Sequence, residues 1–185
     1  WWANWATGPL RGFENSQAGD LAQAIVPVGN NRVAGSDALL SLSGNLNQAV
    51  IAASHNIAAA PPSFVVTTAE HGFTQGSILM ACDSRAAAIF EVTNTPAAAV
   101  GATIQHAAGG PAPGNLTATF SPPLSPSPYQ FENGAVLSRL HAAFWYVGNN
   151  GRGGNSLYRA SVDGTSVPQV DEVIEGINAA GTLQI

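Results

Sequence analysis

The amino-acid sequence predicts a mainly β fold of antiparallel strands with little helix. From residue 37 onward the chain consists of short apolar segments rich in Val, Ile, Thr and aromatic residues. Gly, Pro and Asn interrupt these segments at intervals of about 8–15 residues, which is typical of all-β domains. The chain has 185 residues, enough for one domain with a buried core. We therefore predict a β-rich head at 37–185, preceded by an irregular segment at 1–36 that belongs to the same domain.

Eleven segments have the composition of strands. They are 37–43, 48–54, 63–68, 77–83, 86–94, 102–107, 115–120, 135–142, 143–148, 156–162 and 171–177. Residues 20–27, DLAQAIVP, fit a short helix with Asp20 as its N-cap and Pro27 beyond its end. The stretch SPPLSPSP at 121–128 is predicted to be an extended surface connection, because proline donates no ladder hydrogen bond.

The charge composition excludes several kinds of partner. Only 9% of the residues are charged, against roughly 25% in typical soluble domains. The net charge is −5, and all six basic residues are arginine. Nucleic acids and anionic membrane surfaces are bound through basic stripes or clusters, which this chain lacks. We therefore expect no nucleic-acid partner and a surface that is polar but largely neutral.

The start of the chain is rich in tryptophan. Trp1, Trp2 and Trp5 lie together, and three free indole rings would form a costly exposed patch. The sequence contains neither a signal peptide nor a run of about 20 apolar residues that could span a membrane. Because the first residue is not Met, we expect a processed form or a fragment whose upstream segment packs near these tryptophans.

The segment FWYVGNNGRGGNSLYR at 144–159 places Gly, Asn and Arg between two apolar runs. The stretch GNNGRGG lacks the Lys-Ser/Thr ending of a phosphate-binding loop and precedes a strand-like segment rather than a helix. Asn and Gly tolerate the backbone angles of tight turns, so a hairpin connection is the better interpretation. Its central residues are candidates for partner contact or for a structural loop: Asn149, Asn150, Gly151, Arg152, Gly153 and Gly154.

No known catalytic or metal-binding motif occurs in the sequence, and we predict that the protein is not an enzyme and needs no cofactor or metal. Cys82 has no second cysteine to pair with and is predicted to be a buried free thiol. The four histidines are widely separated and are best interpreted as structural or surface residues. Two less favoured alternatives are a calcium site at 171–175 and an acid/base pair at Glu70 and His71.

Several segments, taken together and in order, resemble PilW-type minor pilins of type IV pili. YVGNNGRGGNSLYR at 146–159 resembles the C-terminal signature of that family. GSDALLSLSG at 35–44 and GSILMACDSRAAAIFEVTN at 76–94 resemble two of its strand segments. DEVIEGINAA at 171–180 resembles a segment near the family's end, and LRGFE at 10–14 resembles the stretch that follows its N-terminal helix.

The resemblance implies a specific architecture and function. Such proteins carry a long apolar N-terminal helix that anchors them in the bacterial inner membrane and later packs inside the filament. With that helix included the fold would be α+β, and this chain would be the β-rich pilin headgroup in the periplasm or on the cell-surface pilus. The implied partners are other minor pilins and a PilY-type tip adhesin, and the implied role is priming of pilus assembly.

Other functions remain open at this stage. A pseudopilin of a type II secretion system would have a similar headgroup and would use it in the same way. An extracellular β-sandwich adhesin or carbohydrate-binding domain would show exposed aromatic side chains along a groove. An enzyme would bring Glu70, His71 or Cys82 together in a pocket. Besides the loop at 149–155, the region 107–133 is a candidate for partner contact.

Overall fold

The computed structural model describes residues 8–14, 32–111, 114–121, 127–164 and 169–177. Within these ranges every regular element is a β-strand, which confirms the predicted fold class. The strands are β1 (Leu10–Phe13), β2 (Ala38–Asn56), β3 (Ser63–Val66), β4 (Ile78–Cys82), β5 (Ala87–Glu91), β6 (Thr103–Gln105), β7 (Val136–Asn149), β8 (Asn155–Asp163) and β9 (Gln169–Ile177).

The nine strands are linked by antiparallel pairing. The main path of hydrogen-bonded neighbours runs β5-β4-β7-β2-β3-β6. Off this path, β1 pairs with β2, and β8 lies between β7 and β9. Among the described strands, β1, β5, β6 and β9 therefore have one strand neighbour each. Such edges leave backbone groups that must find other partners.

The chain divides into two compact units. Unit 1 comprises residues 1–43, 141–162 and 167–185, and unit 2 comprises residues 44–140 and 163–166. The long strands β2 and β7 contribute residues to both units. The sequence predicted a single β-rich head after residue 36, and the described part of the preceding segment already contains strand β1.

Strand β2 is one continuous strand, whereas the sequence predicted two strands, at 37–43 and 48–54. Gly44 lies within this continuous strand. A Cβ atom on Gly44 would lie 2.3 Å from the Ser138 Oγ and 2.6 Å from the Met80 Cε. Glycine therefore allows neighbouring side chains to approach an unbroken strand closely, which is a recognised use of glycine within sheets. The predicted strands 135–142 and 143–148 likewise merge into β7.

Two further predictions were wrong or incomplete. Residues 115–120 form no strand and make only isolated bridges, Gly109 to Asn115 and Phe120 to Tyr129. Strand β1 was missed because Arg11 and Gly12 interrupt its apolar pattern, yet it pairs residue by residue with Ala38–Ser41. The predicted helix at 20–27, the three tryptophans and most of the proline-rich stretch 121–128 lie outside the described residues.

The core of unit 1 contains a row of aromatic rings. Phe13 meets Phe144 edge to face with centroids 5.6 Å apart, and Phe144 stacks with Tyr146 at 5.8 Å. Tyr146 stacks in turn with Tyr158 at 5.4 Å. Gly148 gives these rings room, because a Cβ there would come within 2.9 Å of the Tyr158 ring. Burial of several aromatic side chains supplies much of the hydrophobic stabilisation of a small unit.

The core of unit 2 is a cluster of apolar side chains around two buried histidines. His55 and His106 are only 2% and 1% exposed. The rings of Phe64, Phe120 and Phe131 pack against His55, with the closest stack at 4.0 Å from Phe64. Polar side chains in such an apolar setting are tolerated only when their polar atoms are hydrogen-bonded.

A chain of hydrogen bonds satisfies all four ring nitrogens of this pair. The Phe131 N–H donates to the His55 Nδ1 at 3.1 Å, so this nitrogen carries no proton. The His106 Nδ1 faces the Ala118 carbonyl oxygen at 3.0 Å and must be the donor in that bond. The His55 Nε2 therefore donates to the His106 Nε2 across 3.0 Å. An additional proton on either ring would place two N–H groups against each other.

The pair predicts a specific pH dependence of stability. Burial lowers the pKa of both His55 and His106 from 6.5 to about 4, and the charge of a protonated His106 lowers the pKa of His55 further. Between pH 4 and pH 6.5 the two histidines therefore bind more protons in the unfolded chain than in the folded chain. The contribution of the pair to the free energy of unfolding should be fully present above pH 6.5. It should fall as the pH decreases toward 4, by up to about 1.4 kcal/mol per pH unit for each histidine. Urea unfolding at several pH values measures this slope.

The control is the double variant His55→Phe with His106→Phe, which removes both titrating groups whatever its absolute stability. Its unfolding free energy should depend much less on pH between 6.5 and 4. Equal slopes for the parent chain and the double variant would contradict the assignment.

Candidate functional site

The GNNGRGG stretch connects the paired strands β7 and β8, as predicted, within unit 1. Strand β7 ends at Asn149 and β8 begins at Asn155. The Asn150 N–H donates to the Gly154 carbonyl at 3.0 Å and closes the loop. The Asn150 Oδ1 accepts from the N–H groups of Arg152 and Gly154 at 2.9 and 3.1 Å. The Asn150 side chain thus organises the loop from inside.

Two glycines carry the conformation that the loop requires. Gly151 has φ +70° and Gly153 has φ +85°, both in the left-handed region. Side chains disfavour this region because Cβ would crowd the following carbonyl. Neither glycine has another atom within 4 Å of a virtual Cβ, so the requirement comes from the backbone alone.

Arg152 is engaged by carboxylates of strand β9. Its guanidinium pairs with Glu172, and its Nε lies 3.0 Å from the Glu175 Oε1. The Ser156 hydroxyl donates to the Glu172 Oε1 at 2.6 Å. The Ser156 hydrogen bond, followed by that from Arg152, lowers the pKa of Glu172. The predicted partner-contact residue therefore ties the loop to β9 with its charge largely matched.

The acidic group at 171–175 makes ion pairs with strand β8 and with the β7-β8 loop in this structure. Asp171 pairs with Arg159 at 2.8 Å, while Glu172 and Glu175 pair with Arg152. Within the described ranges, no three His, Cys, Asp or Glu side chains lie close enough together to hold a metal ion.

Strand β9 is an exposed edge next to this loop. It pairs with β8, and most of its residues are exposed. Val173 is 44% exposed and Ile174 is 56% exposed. The pairing of β9 with β8 shifts register between Glu172 and Ile174, so Val173 is the extra residue of a β-bulge on this exposed strand. Loop 149–155 and β9 together are called the β9 surface below.

Cys82 is free, but it is only half-buried, which corrects the prediction of a buried thiol. The physical reason is its place as the last residue of β4, whose burial pattern alternates and ends at a partly exposed position. Partial burial, and then the charge of Asp83, raises the pKa of the thiol. A raised pKa disfavours the reactive thiolate form.

Glu70 and His71 are held by separate partners. His71 is buried, with its Nε2 2.8 Å from the Ala97 carbonyl and its Nδ1 accepting from the Phe73 N–H at 3.0 Å. Glu70 is exposed and accepts from the Thr68 hydroxyl at 2.8 Å. Both nitrogens of His71 are thus occupied by backbone groups, as expected for a structural histidine.

Sequence reasoning missed the contact between His55 and His106 in the core, because 51 residues separate them. The described ranges contain no helix that is long and apolar enough to cross a membrane.

Neither a protein-family model, nor a curated protein, nor a solved structure matches this chain. Function must therefore be argued from the residues and their geometry.

The loop geometry predicts the effect of replacing its glycines. Gly151→Val and Gly153→Val should each destabilise the folded chain by about 1–2 kcal/mol, because valine must adopt a left-handed conformation. Urea unfolding of each variant measures the loss. Gly154→Ala is the matched control, since Gly154 lies in the same loop without a positive φ. A loss for Gly154→Ala as large as those of the two valine variants would contradict this explanation.

The ion pairs predict how β9 is held. Arg152→Ala should accelerate amide hydrogen exchange along β9, because the strand loses its links to Glu172 and Glu175. High salt should have a similar effect on the parent chain, because it screens exposed ion pairs. Arg85→Ala removes another exposed pair, with Glu132 in unit 2, and should leave β9 unchanged. Equal exchange rates in the two variants would refute this role of Arg152.

Proposed function

We propose that this chain is the headgroup of a minor pilin of type IV pili and that it works by docking onto neighbouring subunits. On this proposal it takes part in priming pilus assembly and in the tip complex. Its partners are other minor pilins and a PilY-type adhesin. The proposal assigns it no catalytic reaction and no cofactor.

The β9 surface carries this proposal. Two of the segments that resemble the pilin family, 146–159 and 171–180, contribute the β7-β8 hairpin and strand β9. Both therefore belong to one surface of unit 1. Val173 and Ile174 are exposed there, although burial of a Val or Ile side chain is worth about 1.5–3 kcal/mol. Exposed apolar side chains beside a strand edge are typical of a surface that a partner covers.

The electrostatics of the β9 surface suit assembly with another largely neutral protein. Arg152 and Arg159 pair with the three carboxylates of β9, so every charge in this group has a partner and the group has a net charge of −1. Docking on such a surface removes apolar area from water without leaving an isolated charge buried.

The proposal also implies a location. A minor pilin waits in the bacterial inner membrane, with its headgroup in the periplasm, and reaches the cell surface in the pilus tip. A pseudopilin of a type II secretion system is the closest alternative, because it would use a headgroup surface in the same way.

Charge substitution on the β9 surface tests the function. In the source bacterium, the double variant Val173→Lys with Ile174→Lys should reduce pilus number and twitching motility, because docking would bury two lysines. Pilus counts by electron microscopy measure the effect. The control is Val100→Lys in unit 2, where the valine is 73% exposed. This control should assemble pili normally.

Two other results would count against the proposal. Normal piliation of a correctly folded double variant would remove the β9 surface from assembly. Normal piliation together with a loss of type II secretion would assign the chain to a pseudopilin.

A further inference from the structure

Strand β5, in unit 2, has an edge that is only partly closed. It stands at the end of the main strand path and pairs with β4 alone. The Val92 N–H and the Ala86 carbonyl form hydrogen bonds with residues that flank β4 at its two ends. These bonds determine which backbone groups of β5 point toward β4. By the alternation along the strand, the backbone N–H and C=O groups of Ala87, Ile89 and Glu91 face away from β4.

Side chains close this edge at only one of the three positions. The Asn115 Oδ1 accepts from the Glu91 N–H at 2.7 Å, and the Asn115 Nδ2 donates to the Glu91 carbonyl at 2.8 Å. The amide of Asn115 thus substitutes for a neighbouring strand at Glu91. In the part of the chain that the structure describes, no group does the same at Ala87 or Ile89.

The other edge of the main path shows the contrast. Outward groups of β6 are met by Asn94, whose Nδ2 donates to the Thr103 carbonyl and whose Oδ1 accepts from the Gln105 N–H, both at 2.9 Å. The Thr93 N–H donates to the Gln105 carbonyl at 2.9 Å. Closing an edge in this way prevents pairing with another chain. Among the residues that the structure describes, none protects the stretch from Ala87 to Ile89 in this way.

A groove of about 480 Å³ runs beside the open stretch. Ala86, Ala87 and Ala88 line one side, so small side chains border the exposed backbone. Thr117 and Thr119 line it as well, and the rings of Phe120 and Tyr129 contribute apolar surface. The groove therefore combines open backbone groups with a lining of hydroxyl groups and aromatic rings.

The groove offers no unmatched charge among its described lining residues. Arg85 is its only charged lining residue, and its guanidinium pairs with Glu132. The Tyr129 hydroxyl donates to the Asp83 carboxylate, whose oxygens lie 2.7 and 2.9 Å away. Asp83 also accepts from the N–H groups of Arg85 and Ala86 and so fixes the β4-β5 turn. The matching occupant is uncharged.

We propose that this groove binds an extended, uncharged peptide segment of a partner protein as an additional strand on β5. The segment would pair with the backbone of Ala87 and Ile89, and its alternate side chains would contact Thr117, Thr119 and the ring of Phe120. Strand addition obtains affinity from main-chain hydrogen bonds and selectivity from the lining side chains. The groove includes part of the region 107–133 that the sequence analysis named for partner contact. This inference does not depend on the pilin assignment.

The test uses an acetylated and amidated peptide of alternating threonine and valine as the probe. Titrated into the isotope-labelled chain, it should shift the amide NMR signals of Ala87 and Ile89 and those of residues 117–121. A probe that is N-methylated at alternate residues lacks the N–H groups on its pairing side and should bind about tenfold more weakly, because two hydrogen bonds are lost.

Ala87→Pro tests the same edge from the side of the protein. Proline removes an N–H that faces away from β4, so the β4-β5 pairing should persist, and circular dichroism checks it. Affinity for the probe should fall about tenfold, because proline blocks the added strand and removes a donor. Ala87→Ser keeps the N–H and should bind like the parent chain.

Several outcomes would overturn the assignment. These are no binding of the probe at millimolar concentration, equal binding of the methylated and unmethylated probes, or shifts confined to β9. Self-association that Ala87→Pro abolishes would assign the edge to a second copy of this chain. Binding of cellohexaose at Phe120 and Tyr129 that Ala87→Pro leaves unchanged would assign the groove to a glycan.

Discussion

The rest of the structure depends on one requirement. Backbone N–H and C=O groups at sheet edges and strand ends must find hydrogen-bond partners. In this chain asparagine side chains supply many of these hydrogen bonds. Asn94 and Asn115 bond to the outer edges of β6 and β5, and Asn150 organises the β7-β8 turn. An amide carries both a donor and an acceptor, so one side chain can replace a neighbouring residue of a strand. A chain with only 9% charged residues can therefore close its edges without charge.

The same requirement explains the histidine pair in the core of unit 2. A neutral imidazole carries one donor and one acceptor, so His55 and His106 can pass a hydrogen bond from the Phe131 N–H to the Ala118 carbonyl. Two segments that form no part of any strand are thereby tied to the core. An apolar residue at either position would pack equally well but would leave buried backbone groups unsatisfied, at about 1–3 kcal/mol each. The pair thus links these two segments to the core through a continuous chain of hydrogen bonds.

The sequence predicted the fold class, most strands and the hairpin at 149–155, because β composition and turn residues are local signals. It failed where distant residues decide the outcome. Gly44 lies between two strands that the sequence predicted as separate, but β2 runs through it, and its role follows from Ser138 and Met80. The pairing of His55 with His106 and the neutralisation of Arg152 by β9 also require the folded arrangement. The β5 groove was not predictable, since an open edge is defined by which strands pair.

The two open edges differ in what they offer, and this difference limits what can bind to them. Strand β9 presents two exposed apolar side chains at a bulge and is held by exposed ion pairs, which salt weakens. Strand β5 presents backbone groups beside alanines and is held by pairing with β4 and by Asp83. A partner of β9 gains mainly from burial of apolar area, which tolerates varied sequences. A partner of β5 would have to be extended and to present N–H groups. Pairing with β5 would therefore depend more on the partner's backbone conformation than on its side chains.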